Sequence, residues 1–200
     1  MVGARRALIA MVLLTALLAG CGEDDDPKQA SGNGIDRAFA ASMIPHHESA
    51  VDMGRLAGKK AGHAELRALA GDIVRSQTAE IRTLRRAERG LAREGVRPGD
   101  LGLDEQLMGM GMDVHGLGSA RPFDRAFIDM MVPHHNGAIR MSEIELDRGA
   151  SRPLRRLARA IVDAQTREIR RMERWRKAWY GSDDAPDVHG EPGGHGMQVP

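Results

Sequence analysis

Two stretches of the chain, Met43-Ile44-Pro45-His46-His47 and Met131-Val132-Pro133-His134-His135, pack a thioether, a proline and two adjacent imidazoles into five residues. Each is completed by a further methionine, Met53 and Met141, so Met-x-x-His-His-x-x-x-x-x-Met occurs twice. Thioether sulfur is soft and neutral and imidazole is intermediate, so the set suits Cu(I) or Ag(I) better than hard cations such as Mg²⁺ or Ca²⁺. Cys21 is the one cysteine of the sequence, so soft-metal chemistry in the folded part would fall to methionine.

These residues need a surface that gathers them. At about 100° per residue, Phe39, Met43, His46, Ala50, Met53 and Ala57 fall on one narrow arc, with His47 at its edge. The arc runs through Pro45, which predicts a helix continuing past its proline and leaving the Ala41 carbonyl, and that of Asp129 in the second copy, without its usual donor. A second apolar stripe, Leu66 to Leu84, carries Gln77 near its centre and Glu80 near its edge. Gln165 and Glu168 repeat the arrangement. Buried amides and carboxylates need partners, and the histidines of a facing helix are the candidates, which makes Gln77, Glu80, Gln165 and Glu168 extra ligands or supports of the ligands.

A plainer reading stands beside the metal one. Methionine commonly fills gaps in helical cores, and His46 and His134 could simply bond to Glu80 and Glu168. Two copies of one Met/His pattern facing a single interior favour metal. A separate set, Met108, Met110, Met112 and His115, lies in a glycine-spaced segment that reads either as a metal-collecting loop independent of the fold or as a plain linker. The tail adds His189, His195 and Met197.

The elements that must position these residues form an internal repeat at an offset of 88 residues. Asp36-Arg37-Ala38-Phe39 returns as Asp124-Arg125-Ala126-Phe127, and the same offset maps LRALAGDIVRSQTAEIR onto LRRLARAIVDAQTREIR without a gap. Each copy predicts a helical hairpin, roughly Asp36 to Lys60 with Ala64 to Arg93, and Pro122 to Arg148 with Pro153 to Trp179. Gly- or Pro-containing breaks divide them. One hairpin cannot cover its own apolar stripe, so the expected fold is all-α, a four-helix bundle of two duplicated hairpins over residues 35–180. A Met/Gly-rich linker over 98–120 joins them.

The termini read differently. Residues 1–20 carry Arg5 and Arg6, then an apolar run, and Leu18-Ala19-Gly20-Cys21 resembles a bacterial lipobox, so 1–20 reads as a lipoprotein signal peptide and Cys21 as the lipidated residue. Residues 21–34 would be a flexible tether to the outer face of the cell membrane, and 181–200 a disordered tail. Without residues 1–20 the 29 basic residues become 27 against 28 acidic ones, a formal charge of −1. Nothing in that balance suggests a nucleic-acid partner.

An enzyme must be weighed too. Carboxylate-bridged di-iron bundles use four glutamates with two histidines, whereas Gln77-x-x-Glu80 and Gln165-x-x-Glu168 supply only two symmetric carboxylates, which disfavours iron. No Ser-His-Asp set or phosphate loop is evident. A redox-active bundle that oxidises a metal, or a helical interaction module with a polar core, are the alternatives to a binding protein.

The doubled Phe-x-x-x-Met-[Ile/Val]-Pro-His-His-x-x-Ala-[Ile/Val]-x-Met, each followed by a Gln-Thr-x-Glu-Ile-Arg helix, resembles the bacterial domain-of-unknown-function family numbered 305. The resemblance covers roughly residues 35–180. It implies a ferritin-like four-helix fold in a secreted or membrane-anchored protein, found with copper-handling systems, some members binding copper or silver. Carried over by residue, it points to Met43, His46, His47, Met53, Met131, His134, His135 and Met141.

Overall fold

The helical stretches form as the periodicity predicts, and their ends are set by local chemistry. In the computed structural model, which describes residues 31–110 and 114–181, α1 spans Gly34–Lys60 and α2 Ala64–Arg93. A single turn, α3, covers Val114–Leu117, and α4 (Phe123–Arg148) and α5 (Arg152–Tyr180) complete the order. The turn at Val114 has no counterpart in the repeat pattern. Asn33 caps α1 by accepting from the Ile35 and Asp36 amides, and the Asp36 carboxylate accepts in return from the Asn33 amide, a reciprocal box that satisfies donors a helix start leaves orphaned. At the far end, Gly181 closes α5 with φ 78°, a left-handed conformation that glycine adopts without a Cβ clash.

Both motif prolines lie inside helices: α1 runs through Pro45 and α4 through Pro133. Helix α1 packs along α2, α4 along α5, and the hairpins meet chiefly through α1 and α4. Two apolar clusters fill the interior. One gathers Met53, Phe127, Met131 and Met172, the other Phe39, Met43, Leu84 and Met141.

The hairpins are tied together by a pair of equivalent contacts. Asp124 accepts from the Gly62 and His63 amides, both at 2.8 Å, and Asp36 accepts from the Ala150 and Ser151 amides at 3.0 and 2.8 Å. Each repeat's first aspartate thus holds the turn of the other repeat's hairpin, which requires α1 and α4 to run antiparallel. Among the described residues no helix is long and apolar enough to cross a membrane.

Candidate metal centre

Because α1 and α4 run antiparallel, their Met/His motifs lie across from each other near the middle of the bundle. His46, His47 and His135 are wholly buried and His134 is 1% exposed. The His46 and His134 rings overlap, with centroids 3.7 Å apart and planes inclined by 33°. His46 Nε2 donates to the His134 carbonyl oxygen at 3.0 Å. His47 Nε2 meets Glu80 Oε2 at 2.7 Å, and His135 Nε2 meets Glu168 Oε2 at 2.8 Å.

The pairing differs from the plainer reading of the sequence. Glu80 and Glu168 hold His47 and His135, not His46 and His134, because the residue at the edge of the arc turns its ring toward the second helix of its own hairpin while the central one faces its twin. The histidines also do not satisfy the glutamines. Gln77 Oε1 and Gln165 Oε1 are buried without a partner.

The ring nitrogens left over define the chemistry. Nδ1 of His46, His47, His134 and His135, together with His134 Nε2, is buried without a hydrogen-bond partner. Buried polar atoms in native proteins are nearly always satisfied; since neutral His134 keeps a proton on one of its two nitrogens, up to four lone pairs in this layer call for an acceptor. A metal-binding histidine characteristically gives its other N–H to a carboxylate, and the His47–Glu80 and His135–Glu168 pairs have that form.

Electrostatics keeps the inner pair ready to coordinate. Burial pushes His46 down to about 3, the nearby His47 and His135 rings add to the shift, and the His134 carbonyl with the neighbouring Met108 backbone opposes it. Burial likewise holds His134 well below the ordinary histidine range, reinforced by His46, His135 and His47. Both are therefore neutral at physiological pH, the form that binds metal.

The four motif methionines, all fully buried, divide into two pairs. Met43 and Met141 share one cluster, Met53 and Met131 the other. Ten residues separate the two methionines of each helix, about 15 Å along the axis, so no single ion can touch all four sulfurs. The arrangement is a histidine layer with a sulfur pair, one from each repeat, on either side. Among the described residues no three His, Asp or Glu side chains converge on a common point.

The linker is not independent of the bundle. Met108 packs on the Met43/Met141 cluster, Arg140 donates to the Leu107 carbonyl at 3.1 Å, and Gly109 lies against Pro133 and His134. The approach needs Gly137, where a Cβ would sit 1.9 Å from the Met108 carbonyl oxygen. Met110 is half-buried on this strap. His115 is exposed on α3, whose Val114 and Leu117 join the other cluster, so Met108 and His115 are not brought together. Met112, Cys21, His189, His195 and Met197 lie outside the described residues.

Sequence reasoning missed the other polar cluster of the interior. Burial pushes the Glu145 carboxyl up to about 9, its hydrogen bond with Asp36 and that carboxylate's charge add to the shift, and Arg155 opposes it. The signal was present, since Glu145 aligns with Ala57 and breaks the repeat. At the opposite end, His63 Nδ1 meets Asp124 Oδ2 at 2.7 Å and its ring stacks on Trp179 at 3.6 Å. These two clusters sit at the bundle ends, away from the histidine layer.

A four-helix bundle of duplicated hairpins around a Met/His layer is the class that fold and site define. The chain belongs to the family described as a domain of unknown function, DUF305, matched over residues 36–176 and again over 124–199, the second match starting at the repeat's own Asp124. Its fold is similar to that of CopM in the Cu(I)-bound form, at 34% identity, TM-score 0.61, and coverage of 73% of this chain and 98% of that one. A DUF305 fragment from Deinococcus radiodurans matches at 32% identity and TM-score 0.60, covering 74% and 98% of the two chains. A DUF305 protein from Streptomyces coelicolor matches at 26% and 0.65, covering 78% and 98%. No curated protein matches the chain by sequence.

Proposed function

We propose that the protein is an extracytoplasmic, lipid-anchored copper binder that takes up Cu(I), and Ag(I) by the same chemistry, as cargo to be sequestered or delivered to a copper-handling partner. The observation that carries this reading is the set of buried, partnerless imidazole nitrogens lying between two sulfur pairs. CopM, similar in fold and sequence, has been solved in Cu(I)-bound and Ag-bound forms, which supports a copper-associated role. Thioethers bind without losing a proton, and neutral His46 and His134 offer lone pairs at once, so loading requires little proton release. His47 and His135 would be oriented for the metal by Glu80 and Glu168.

The geometry favours two ions, one at each sulfur pair, sharing the histidine layer. The test is competitive Cu(I) titration of the chain from Gly22 onward against a chelator of known affinity. Two equivalents are expected. Met43→Leu/Met141→Leu should lose one and Met53→Leu/Met131→Leu the other, while His46→Ala/His134→Ala weakens both. Absence of tight binding by the intact chain would remove the reading, and full binding by the histidine variant would remove the layer from it.

A further inference from the structure

Helix α5 is far more basic than the chain as a whole. It carries ten Arg and Lys residues against three Asp and Glu, in a protein whose formal charge is +1. At its N-terminal end Arg152, Arg155, Arg156 and Arg159 are exposed on about two turns and border a shallow depression of roughly 220 Å³. None of the four joins the ion pairs among the described residues. Arg152 with Arg156, and Arg155 with Arg159, are like charges four residues apart, an arrangement that mildly destabilises a helix. Arg155 feels the buried Glu145 carboxyl, which stays protonated at neutral pH, so the charge of the cluster is turned toward a partner outside the chain.

Where the chain enters the fold says which partner. Asn33 Nδ2 donates to the Arg148 carbonyl at 2.9 Å, and Asp36 holds the Ala150 and Ser151 amides. The start of α1 therefore lies at the same end of the bundle as the start of α5, beside the arginines. Cys21 precedes Ser31 by ten residues, a span of at most about 35 Å when fully extended. A lipid on Cys21 would keep this end, rather than the Lys60/Asp124 end, next to the bilayer.

We propose that Arg152, Arg155, Arg156 and Arg159 form a docking face for anionic phospholipid headgroups, seating the bundle on the membrane with the start of α5 downward. The guanidinium fork matches phosphate oxygens two at a time, and the four groups share one face of the first two turns of α5. The inference goes beyond copper binding and rests on the lipid-anchored part of the proposed function for its choice of a membrane as partner. Each arginine at an anionic surface contributes about a fivefold gain in partitioning, decreasing with salt.

Vesicle co-sedimentation tests it, using the unlipidated chain from Gly22 onward, which keeps every described residue of the fold. The vesicles are phosphatidylcholine alone or with 30 mol% phosphatidylglycerol. Binding to the anionic vesicles, weakening with salt, is expected. Arg152→Gln/Arg156→Gln/Arg159→Gln should lose it by about a hundredfold. Lys59→Gln/Lys60→Gln/Arg121→Gln removes the same charge about 40 Å away along α1 and should change it less than threefold. Circular dichroism checks that both variants keep the helical fold. Equal binding to neutral and anionic vesicles, or equal loss in both variants, would overturn the proposal. So would binding to a polyglutamate peptide but not to vesicles, which assigns the face to an acidic protein.

Discussion

His46 gives its Nε2–H to the backbone oxygen of His134, its equivalent in the second repeat, and the two rings overlap at 3.7 Å. The bond is one-directional. His134 returns nothing, and both of its ring nitrogens remain partnerless in the core. A residue kept for packing would not be chosen this way, so copper affinity and apo-protein stability should respond to it in opposite directions. His134→Leu is expected to stabilise the metal-free protein by about 1–2 kcal/mol, the usual gain from removing an unsatisfied buried polar group. It should also weaken Cu(I) binding at least tenfold. Chemical denaturation and chelator competition on one preparation measure both, and a loss of stability would restore histidine to the role of core filler.

The inner histidines also set an acid limit on the apo fold. Their folded-state proton affinity is depressed, to about 3 for His46. Unfolded histidine takes up a proton near 6.5, so between that pH and about 3 the unfolded chain holds more protons and stability falls as pH falls. Each group contributes up to about 1.4 kcal/mol per pH unit in that window. Denaturant midpoints from pH 7 to pH 4 should therefore drop, and His46→Leu/His134→Leu should flatten the slope. Copper binding through the inner pair, in contrast, should hold below the usual histidine range, because His46 and His134 are already neutral.

Glu145 has the opposite sign. Its carboxyl binds a proton more tightly in the fold than when unfolded, so the folded state holds the extra proton between about 4.5 and about 9 and stability falls as pH rises through that interval. Glu145→Gln keeps the size and a donor toward Asp36 while removing the titration. The variant should be more stable than the parent at pH 8.5 and nearly equal to it at pH 4.5. Thermal melts at those two values decide the matter.

At the other end, burial alone would raise Asp124, but the His63 amide and ring and the Gly62 amide together outweigh it and hold its carboxylate below the ordinary range. That stability is present above about pH 4 and is lost as pH falls toward the folded value. Asp124→Ala leaves the two amides without acceptors and should cost about 2–4 kcal/mol at pH 7. Amide exchange at Gly62 and His63 should rise with it.

Gly137→Ala tests the strap. Alanine is the better helix former by about 1 kcal/mol, so α4 itself should not suffer, yet its Cβ cannot coexist with the Met108 carbonyl. Residues 104–110 should become the preferred site of limited proteolysis, and copper should leave faster as cover over the Met43/Met141 side is lost. Unchanged cleavage would show that the strap does not depend on this contact.

The helices and the duplication were legible because periodicity and an 88-residue offset are properties of sequence alone. The inward face was legible too: Met43, His46 and Met53 lie where the arc placed them. Partner choice was not. Whether Glu80 meets His46 or His47 depends on the rotation of one helix against another, about which a period of 3.6 is silent. The strap was invisible for the same reason, although Gly137 standing where the first repeat has Ser49 marked a place needing close approach. Asp36 and Asp124 were seen as matching residues at helix starts, but their partners sit across the bundle, over a hundred positions away in one case.

The reciprocal hold of Asp36 and Asp124 on each other's hairpin turns is an isologous interface enclosed within one polypeptide. Two chains that exchanged hairpins would rebuild both aspartate contacts and the histidine layer, with only the connection between α2 and α4 rerouted. The architecture would therefore keep both aspartate contacts in a domain-swapped dimer as well as in the single chain.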